Sequence, residues 1–89
     1  MSKKITVYSS AHCPYCDRAK DLLAQHDASF EEIRVDLDDA KRDEMIEKSN
    51  RRTVPQIFFD DDHIGGYDDL YALHQSNQLS QRLAQLKES

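Results

Sequence analysis

The sequence has too few cysteines for a disulfide scaffold or for a zinc site built from cysteines alone. It contains two cysteines among 89 residues. A structural zinc ion needs four ligands, often supplied as two spaced pairs, and the histidines at positions 12, 26, 63 and 74 form no His-x₃₋₅-His pair. A disulfide between cysteines three positions apart constrains little of the unfolded chain. The cysteine pair is therefore expected to take part in a reaction rather than to stabilise the fold, and no metal site is predicted.

The sequence also lacks a long apolar run and a long basic run. No stretch approaches the roughly 18 apolar residues that a membrane span needs, and the apolar residues after Lys3 and Lys4 are too few for a signal peptide. The net charge is −5, with only isolated basic pairs such as Arg51-Arg52, which disfavours nucleic acid as a partner. We expect a cytoplasmic protein that contacts neither membrane nor nucleic acid. In that reducing compartment a Cys-x-x-Cys pair indicates redox chemistry or metal binding.

The length allows one hydrophobic core. A chain of 89 residues has no room for a second core, and it contains no repeat, linker or low-complexity tract. We therefore predict a single domain over residues 1–89, and we expect it to be a monomer.

Alternating and helical spacings of apolar residues predict the first half of the fold. Residues 4–8 alternate as in a strand, and Ala19, Leu22 and Leu23 recur at helical spacing, which predicts a helix over residues 13–25. Pro14 suits the first turn of that helix, where a missing N–H group costs nothing. The two cysteines are thus predicted at a helix start, just after a strand end.

The middle of the chain repeats this order. Residues 30–37 alternate, with Ile33, Val35 and Leu37 predicted on one face of a second strand. Residues 38–49 predict a charged surface helix, with aspartate near its start and lysine near its end, as the helix dipole prefers.

The last part predicts two short strands and two helices. Residues 56–59 are rich in aromatic and branched side chains, residues 60–62 form an aspartate turn, and residues 63–64 begin a return strand that the paired glycines end. The spacing of the later leucines predicts two helices, marked by Leu70 and Leu73 and then by Leu79, Leu83 and Leu86.

The predicted order is β-α-β-α-β-β-α-α, an α/β fold. The first βαβ unit requires a right-handed crossover and parallel pairing, whereas the later two strands form a hairpin. A mixed four-stranded sheet flanked by helices satisfies both requirements. Such folds place chemistry at the carboxyl ends of strands, beside helix N-termini, which is where Cys13 is predicted.

The motif Cys13-Pro14-Tyr15-Cys16 has the composition of a thiol-exchange centre. The thiolate is the nucleophile in such exchange, and a helix N-terminus lowers a cysteine pKa. Cys13 lies where unpaired amides converge, so we assign it as the attacking thiolate, and Cys16, one turn deeper, as the resolving thiol. His12 precedes Cys13 and is interpreted as a solvent-exposed loop histidine.

Three segments resemble those of dithiol glutaredoxins. They are Cys13-Pro14-Tyr15-Cys16, then Thr53-Val54-Pro55, then Gly65-Gly66-Tyr67-Asp68-Asp69. Their order, and the stretch from Val54 to Gly66, resemble the short bacterial type, over nearly the whole chain. The resemblance implies a thioredoxin-like fold and a cis peptide bond before Pro55, which an X-Pro bond adopts at modest cost.

The resemblance also implies a glutathione site. The Val54 backbone would pair with the cysteinyl part of glutathione as an added strand. The amides of Tyr67 and Asp68 would hold the γ-glutamyl carboxylate at a helix start, and Asp68, with Asp69, would hold the ammonium group. The alternative, that these aspartates only cap the helix, stays open, since both roles are compatible. The implied contacts are Tyr15, Arg51, Arg52, Thr53, Val54, Pro55, Gly66, Tyr67, Asp68 and Asp69.

Two positions depart from the family pattern. Ser10 stands where many members carry a lysine for the glycyl carboxylate of glutathione, so Arg51 or Arg52 is our candidate for that charge. Tyr67 stands where several short bacterial members carry a third cysteine.

The function implied is that of a glutathione-dependent thiol–disulfide oxidoreductase, an enzyme that reduces protein–glutathione mixed disulfides and small or protein disulfides. Glutathione acts as co-substrate, and no bound cofactor is expected. Two alternatives remain open from the sequence. One is a redoxin reduced by a flavoprotein reductase, which the absence of a lysine at position 10 leaves open. The other is an iron–sulfur carrier, which Pro14 and Tyr15 disfavour.

Overall fold

The computed structural model describes residues 4–88, with side chains described through residue 86. Lys3 and both ends of the predicted domain 1–89 lie outside the described residues. The elements follow the predicted order. They are β1 (Ile5–Ser9), α1 (Pro14–Gln25), β2 (Glu31–Arg34), α2 (Asp39–Ser49), β3 (Gln56–Phe59), β4 (Asp62–Gly65), α3 (Tyr67–Gln75) and α4 (Gln78–Glu88).

The strands form one mixed sheet in the order β2-β1-β3-β4. β1 runs parallel to β2 and antiparallel to β3, and β3 pairs with β4 as an antiparallel hairpin. At the carboxyl end of β1, Tyr8 lies opposite Ile33 on one side and Gln56 on the other. The predicted mixed four-stranded sheet is confirmed, and β1 brings the cysteine loop to the edge where β3 begins.

Both faces of the sheet are covered by apolar packing, because successive strand residues point to opposite faces. On one face β1 and β3 pack against α1, α3 and α4, through residues that include Val7, Ile57, Leu23, Leu70 and Leu79. On the other face Tyr8 and Phe58 pack against Val35 and against Met45 of α2. The buried face of α1, formed by Ala19, Leu22 and Leu23, thereby holds this helix against the sheet.

The second strand is shorter than predicted. It ends at Arg34, and although Val35 is buried, the side chain of Leu37 is 75% exposed. The prediction that Leu37 shares a face with Ile33 and Val35 is therefore wrong. The chain turns at this point, because the N–H of Leu37 donates to the carbonyl of Arg34 at 3.3 Å and Asp38 caps the start of α2.

Candidate active site

The cysteine motif lies at the start of α1, as predicted. Cys13 has extended backbone and occupies the N-cap position, and Pro14 is the first helical residue. The N–H of Cys16 donates to the sulfur of Cys13 over 3.1 Å, and the two sulfurs are joined in a disulfide. Cys16 is fully buried, whereas Cys13 is partly exposed. A reactant that approaches from solvent therefore meets the sulfur of Cys13 first.

A small polar cluster holds the end of β1, from which the cysteine loop departs. The hydroxyl of the buried Ser9 donates to Glu32 of β2 at 2.6 Å, and Lys20 of α1 donates to the same carboxylate oxygen at 2.8 Å. These two hydrogen bonds, that of Lys20 first, hold the pKa of Glu32 below its ordinary value. The cluster ties together the three elements that border the loop.

The loop from Thr53 to Pro55 faces the motif. The Val54–Pro55 peptide bond is cis, as the family resemblance implies. The carbonyl oxygen of Val54 lies 3.9 Å from the sulfur of Cys13. Sequence segments that lie about forty positions apart thus meet at the reactive sulfur.

Beside this contact lies a cleft of about 210 Å³. It brings together the predicted glutathione residues with one exception, since Arg52 is exposed and lies outside its lining. The lining also contains Gln56, which the sequence interpretation assigned only to a strand. One feature of the sequence points to Gln56, since it is the polar first residue of an otherwise apolar strand. The lining consists of Tyr15, Arg51, Thr53, Val54, Pro55, Gln56, Gly66, Tyr67, Asp68 and Asp69.

Arg51 and Asp69 face each other at this cleft. Their Nη1 and Oδ2 atoms lie 3.4 Å apart, and both side chains are half exposed. The same Asp69 oxygen accepts the N–H of Gly66 at 3.0 Å, so Asp69 caps the start of α3, a role that is compatible with ligand binding. An exposed ion pair of this kind is worth at most about 1 kcal/mol. A carboxylate entering the cleft can therefore compete with Asp69 for the guanidinium.

Tyrosines form the outer side of the cleft. Tyr15 is 55% exposed, and its ring centroid lies 6.1 Å from that of Tyr67. The guanidinium of Arg18 lies over the Tyr15 ring at 5.4 Å, a cation–π distance. Tyr67 stacks in turn on Tyr71. The cleft thus has an aromatic wall beside the partly exposed Cys13.

The remaining predictions near the motif concern Ser10 and His12. Ser10 donates to the carbonyl of Ala11 at 3.5 Å and brings no charge to this position. His12 is exposed in the turn before Cys13 and has a positive φ of 55°, so its interpretation as an exposed loop residue is confirmed.

Among residues 4–88, no cluster of three or more His, Cys, Asp or Glu side chains is placed to hold a metal ion. Within the same range, each helix is too short or too polar to cross a membrane.

Comparison with known proteins assigns the chain to a family. The family model for glutaredoxin matches residues 5–64, which include both cysteines and the cis proline. The chain belongs to the glutaredoxin family. Glutaredoxin 3 of Escherichia coli K12 is 56% identical over 69 residues, which cover 78% of this chain and 83% of that protein. A glutaredoxin of Pseudomonas aeruginosa is 41% identical over 80 residues, covering 90% and 95%.

Solved glutaredoxin structures match the thioredoxin-like fold as a whole. The buckwheat glutaredoxin–glutathione complex superimposes with a TM-score of 0.86 at 31% identity, covering 94% of this chain and 79% of that one. The solution structure of glutaredoxin from Brucella melitensis gives 0.81 at 45% identity, covering 92% and 89%. The fold class predicted from the sequence is confirmed.

Proposed function

We propose that this glutaredoxin uses glutathione to reduce protein–glutathione mixed disulfides and small or protein disulfides. As a member of the family the chain is a thiol–disulfide oxidoreductase. The observation that carries the proposal is the partly exposed sulfur of Cys13, at a helix start and 3.9 Å from the Val54 carbonyl beside an open cleft. The buckwheat relative in complex with glutathione supports glutathione as the ligand.

In the first reaction Cys13 acts alone. Its thiolate attacks the glutathione sulfur of a protein–glutathione disulfide, the S–S bond breaks, and the protein leaves as a thiolate that takes a proton from solvent. Cys13 is then joined to glutathione. A second glutathione thiolate attacks the glutathione sulfur of this mixed disulfide, which releases oxidised glutathione and restores the Cys13 thiolate.

In the second reaction both cysteines act. After Cys13 forms a mixed disulfide with one half of a substrate disulfide, the thiolate of Cys16 attacks the Cys13 sulfur and the substrate leaves as a thiolate. The Cys13–Cys16 disulfide that results is the bond present in this structure. Two glutathione molecules then reduce it and leave as oxidised glutathione.

The helix start favours the Cys13 thiolate over its thiol. The Cys16 N–H points at the Cys13 sulfur, and the first amides of α1 have no carbonyl partner within the helix. Both place positive potential at the sulfur, so they stabilise a negative charge there. Cys16, buried one turn later, receives less of this field and more of the desolvation that disfavours a thiolate.

Glutathione is proposed to lie along the cleft as an extended peptide. Its cysteinyl part would pair with the Val54 backbone, as a strand adds to a sheet edge. Its γ-glutamyl carboxylate would take the free amides of Tyr67 and Asp68 at the start of α3, and Asp68, exposed at the cleft, would take the ammonium. Tyr15 would cover the peptide from outside, beside Thr53, Pro55 and Gly66.

The glycyl carboxylate is proposed to bind Arg51 rather than Arg52, because only Arg51 lines the cleft. We expect Arg51→Ala to weaken binding of S-methylglutathione about three- to fivefold, the value of one exposed charge pair. Arg52→Ala is the matched control, with the same charge change, and should leave binding within twofold. Isothermal titration of both variants measures the difference. If Arg52→Ala has the larger effect, or if neither weakens binding, the assignment of Arg51 is wrong.

The choice of electron donor tests the function itself. We expect the protein to reduce a glutathionylated peptide when glutathione and glutathione reductase are supplied, and to do so far more slowly with a flavoprotein thioredoxin reductase. The assay follows NADPH consumption under both regimes at equal protein concentration. If thioredoxin reductase is the better electron donor, the protein is instead a redoxin that does not depend on glutathione.

The cellular setting is part of the same proposal. Exchange that ends in reduced substrate requires a reducing compartment with abundant glutathione, which points to the cytoplasm. We propose that residues 1–89 act there as one domain and as a monomer.

A further inference from the structure

A chain of partly buried hydrogen bonds, centred on the buried Gln56, lies behind the loop from Thr53 to Pro55. The side chain of Gln56 is 1% exposed. Its Nε2 donates to the carbonyl of Thr53 at 3.0 Å and to the hydroxyl of Thr53 at 3.2 Å. Its Oε1 lies 2.7 Å from Nε2 of His63 on the neighbouring strand β4. The chain therefore joins the hairpin to the loop that faces Cys13.

The direction of each bond in this chain is determined by its chemistry. The Thr53 carbonyl only accepts hydrogen bonds, so the amide nitrogen of Gln56 must face it and the amide oxygen must face His63. The amide oxygen in turn only accepts, so Nε2 of His63 must carry the proton and donate it. Each partner is left one orientation, which is what makes a buried polar network rigid.

The surroundings of His63 favour this arrangement. Its ring lies against Phe58, with centroids 4.8 Å apart. Burial, and then the positive charge of Arg51, lower the pKa of His63, while Asp69 opposes them. The lowered pKa favours the neutral ring, and the hydrogen bond to the Gln56 amide oxygen places a proton on Nε2.

We propose that His63 and Gln56 are positioning residues for glutathione. By holding Thr53, they fix the backbone of Thr53 and Val54 in the conformation that pairs with the ligand, so that the peptide is held with its sulfur at Cys13. This inference rests on the proposed function and assigns to the hairpin β3–β4 a part in substrate binding. Neither side chain touches the reacting sulfurs.

Three variants separate positioning from simple loss of stability. His63→Leu keeps the apolar contact with Phe58 and loses the donor, whereas His63→Gln restores an amide donor toward Gln56. Gln56→Met keeps the volume and loses both ends of the chain. We expect His63→Leu and Gln56→Met each to raise KM for a glutathionylated peptide about three- to tenfold, the range for losing one or two partly buried hydrogen bonds. His63→Gln should recover most of that loss.

Alkylation of Cys13 by iodoacetamide is the internal control, because this reagent makes no use of the cleft. Its rate should change less than twofold in each variant, and kcat should change less than twofold in the two His63 variants. Combining His63→Leu with Gln56→Met should raise KM little beyond Gln56→Met alone, since both act through one chain. The proposal would be overturned if the effects of the two substitutions on KM multiply in the double variant, or if KM is unchanged in both single variants.

Backbone NMR of the oxidised protein tests the same chain without turnover. The amide resonances of Thr53 and Val54 should shift or broaden in His63→Leu and return toward wild-type positions in His63→Gln. Unmoved resonances would reject positioning even if the enzyme proves to use another electron donor. Conversely, if these resonances respond while the wild-type protein shows no glutathione-dependent activity, the proposed function fails and the chain of bonds stands.

Discussion

Replacing Cys13 with serine should abolish deglutathionylation. The hydroxyl of serine is not ionised near neutral pH and does not form a disulfide, so the covalent step with glutathione is lost. We expect the rate to fall by roughly 10³-fold or more, as when an enzyme loses its nucleophile. No other cysteine can take over from solvent, because Cys16 is fully buried and the sequence contains only these two.

Cys16→Ser is the matched control, with the same atom exchanged three positions along the helix. It should retain deglutathionylation within a fewfold of wild type, because that reaction needs one thiol. It should instead lose the ability to complete reduction of a protein disulfide through a Cys13–Cys16 bond.

Two measurements test these roles, an assay of initial rates and the mass of the protein after reaction. Initial rates with a glutathionylated peptide compare both variants with wild type, and mass spectrometry of the Cys16→Ser protein after reaction with oxidised glutathione should show one glutathionyl group on Cys13. Equal loss of deglutathionylation in the two variants would mean that the division of roles between the cysteines is wrong. A glutathionyl group found on Cys16 of the Cys13→Ser variant would mean the same.

The second large effect is expected at Gly65, where β4 passes into α3. Gly65 has φ of +122°, a region that side chains other than glycine rarely adopt, and a Cβ at this position would overlap the carboxylate of Asp69. Gly65→Ala must therefore strain the backbone and displace Asp69 from the Gly66 N–H. We expect a loss of about 2–3 kcal/mol in the free energy of unfolding.

Gly66→Ala is the control for this change. Gly66 has extended backbone, and a Cβ there would lie at an ordinary contact distance, 3.5 Å, from the carbonyl of Pro55. Its stability should stay within about 1 kcal/mol of wild type. Since Gly66 lines the cleft opposite Pro55, the added methyl group should instead weaken glutathione binding. Urea unfolding of the oxidised proteins and titration with S-methylglutathione measure the two effects. If both variants lose equal stability, the role assigned to the conformation of Gly65 is wrong.

Local patterns in the sequence predict the framework of this protein well. The alternation in β1, the aromatic and branched side chains of β3 and the leucine spacing in α1 and α4 are local signals, and the order of elements that they predict is confirmed. The failure at Leu37 is also local. Alternation continues to Leu37, past the end of β2 at Arg34, but the chain turns there toward the Asp38 cap, which satisfies the first amides of α2.

Contacts between distant segments are not visible in such patterns. Arg51 and Arg52 are equivalent neighbours in the sequence, yet only Arg51 reaches the cleft. The difference arises where α2 ends. Asn50 adopts a left-handed conformation, and the N–H of Arg51 then donates to the hydroxyl of the buried Ser49 at 3.0 Å, which sets the direction of the following loop.

The bonds from Gln56 to Thr53 and His63 escape prediction for the same reason. Strand pairing places His63 beside Phe58, but no spacing rule says that a glutamine at the head of β3 turns its amide back toward the loop. The family resemblance identifies the loop residues themselves, since these are what the motif contains. It does not identify the side chains that support them.

One oxygen of Asp69 caps α3 at Gly66 and meets Arg51, and its side chain fills the space beside Gly65 that a methyl group would need. Substitutions at these positions will consequently be epistatic. A side chain at residue 65 is most harmful while Asp69 is present, so shortening residue 69 should act as a second-site suppressor of Gly65→Ala, and it would also free Arg51 for the ligand. Whether a substitution at residue 65 is tolerated should therefore depend on whether residue 69 has changed before it.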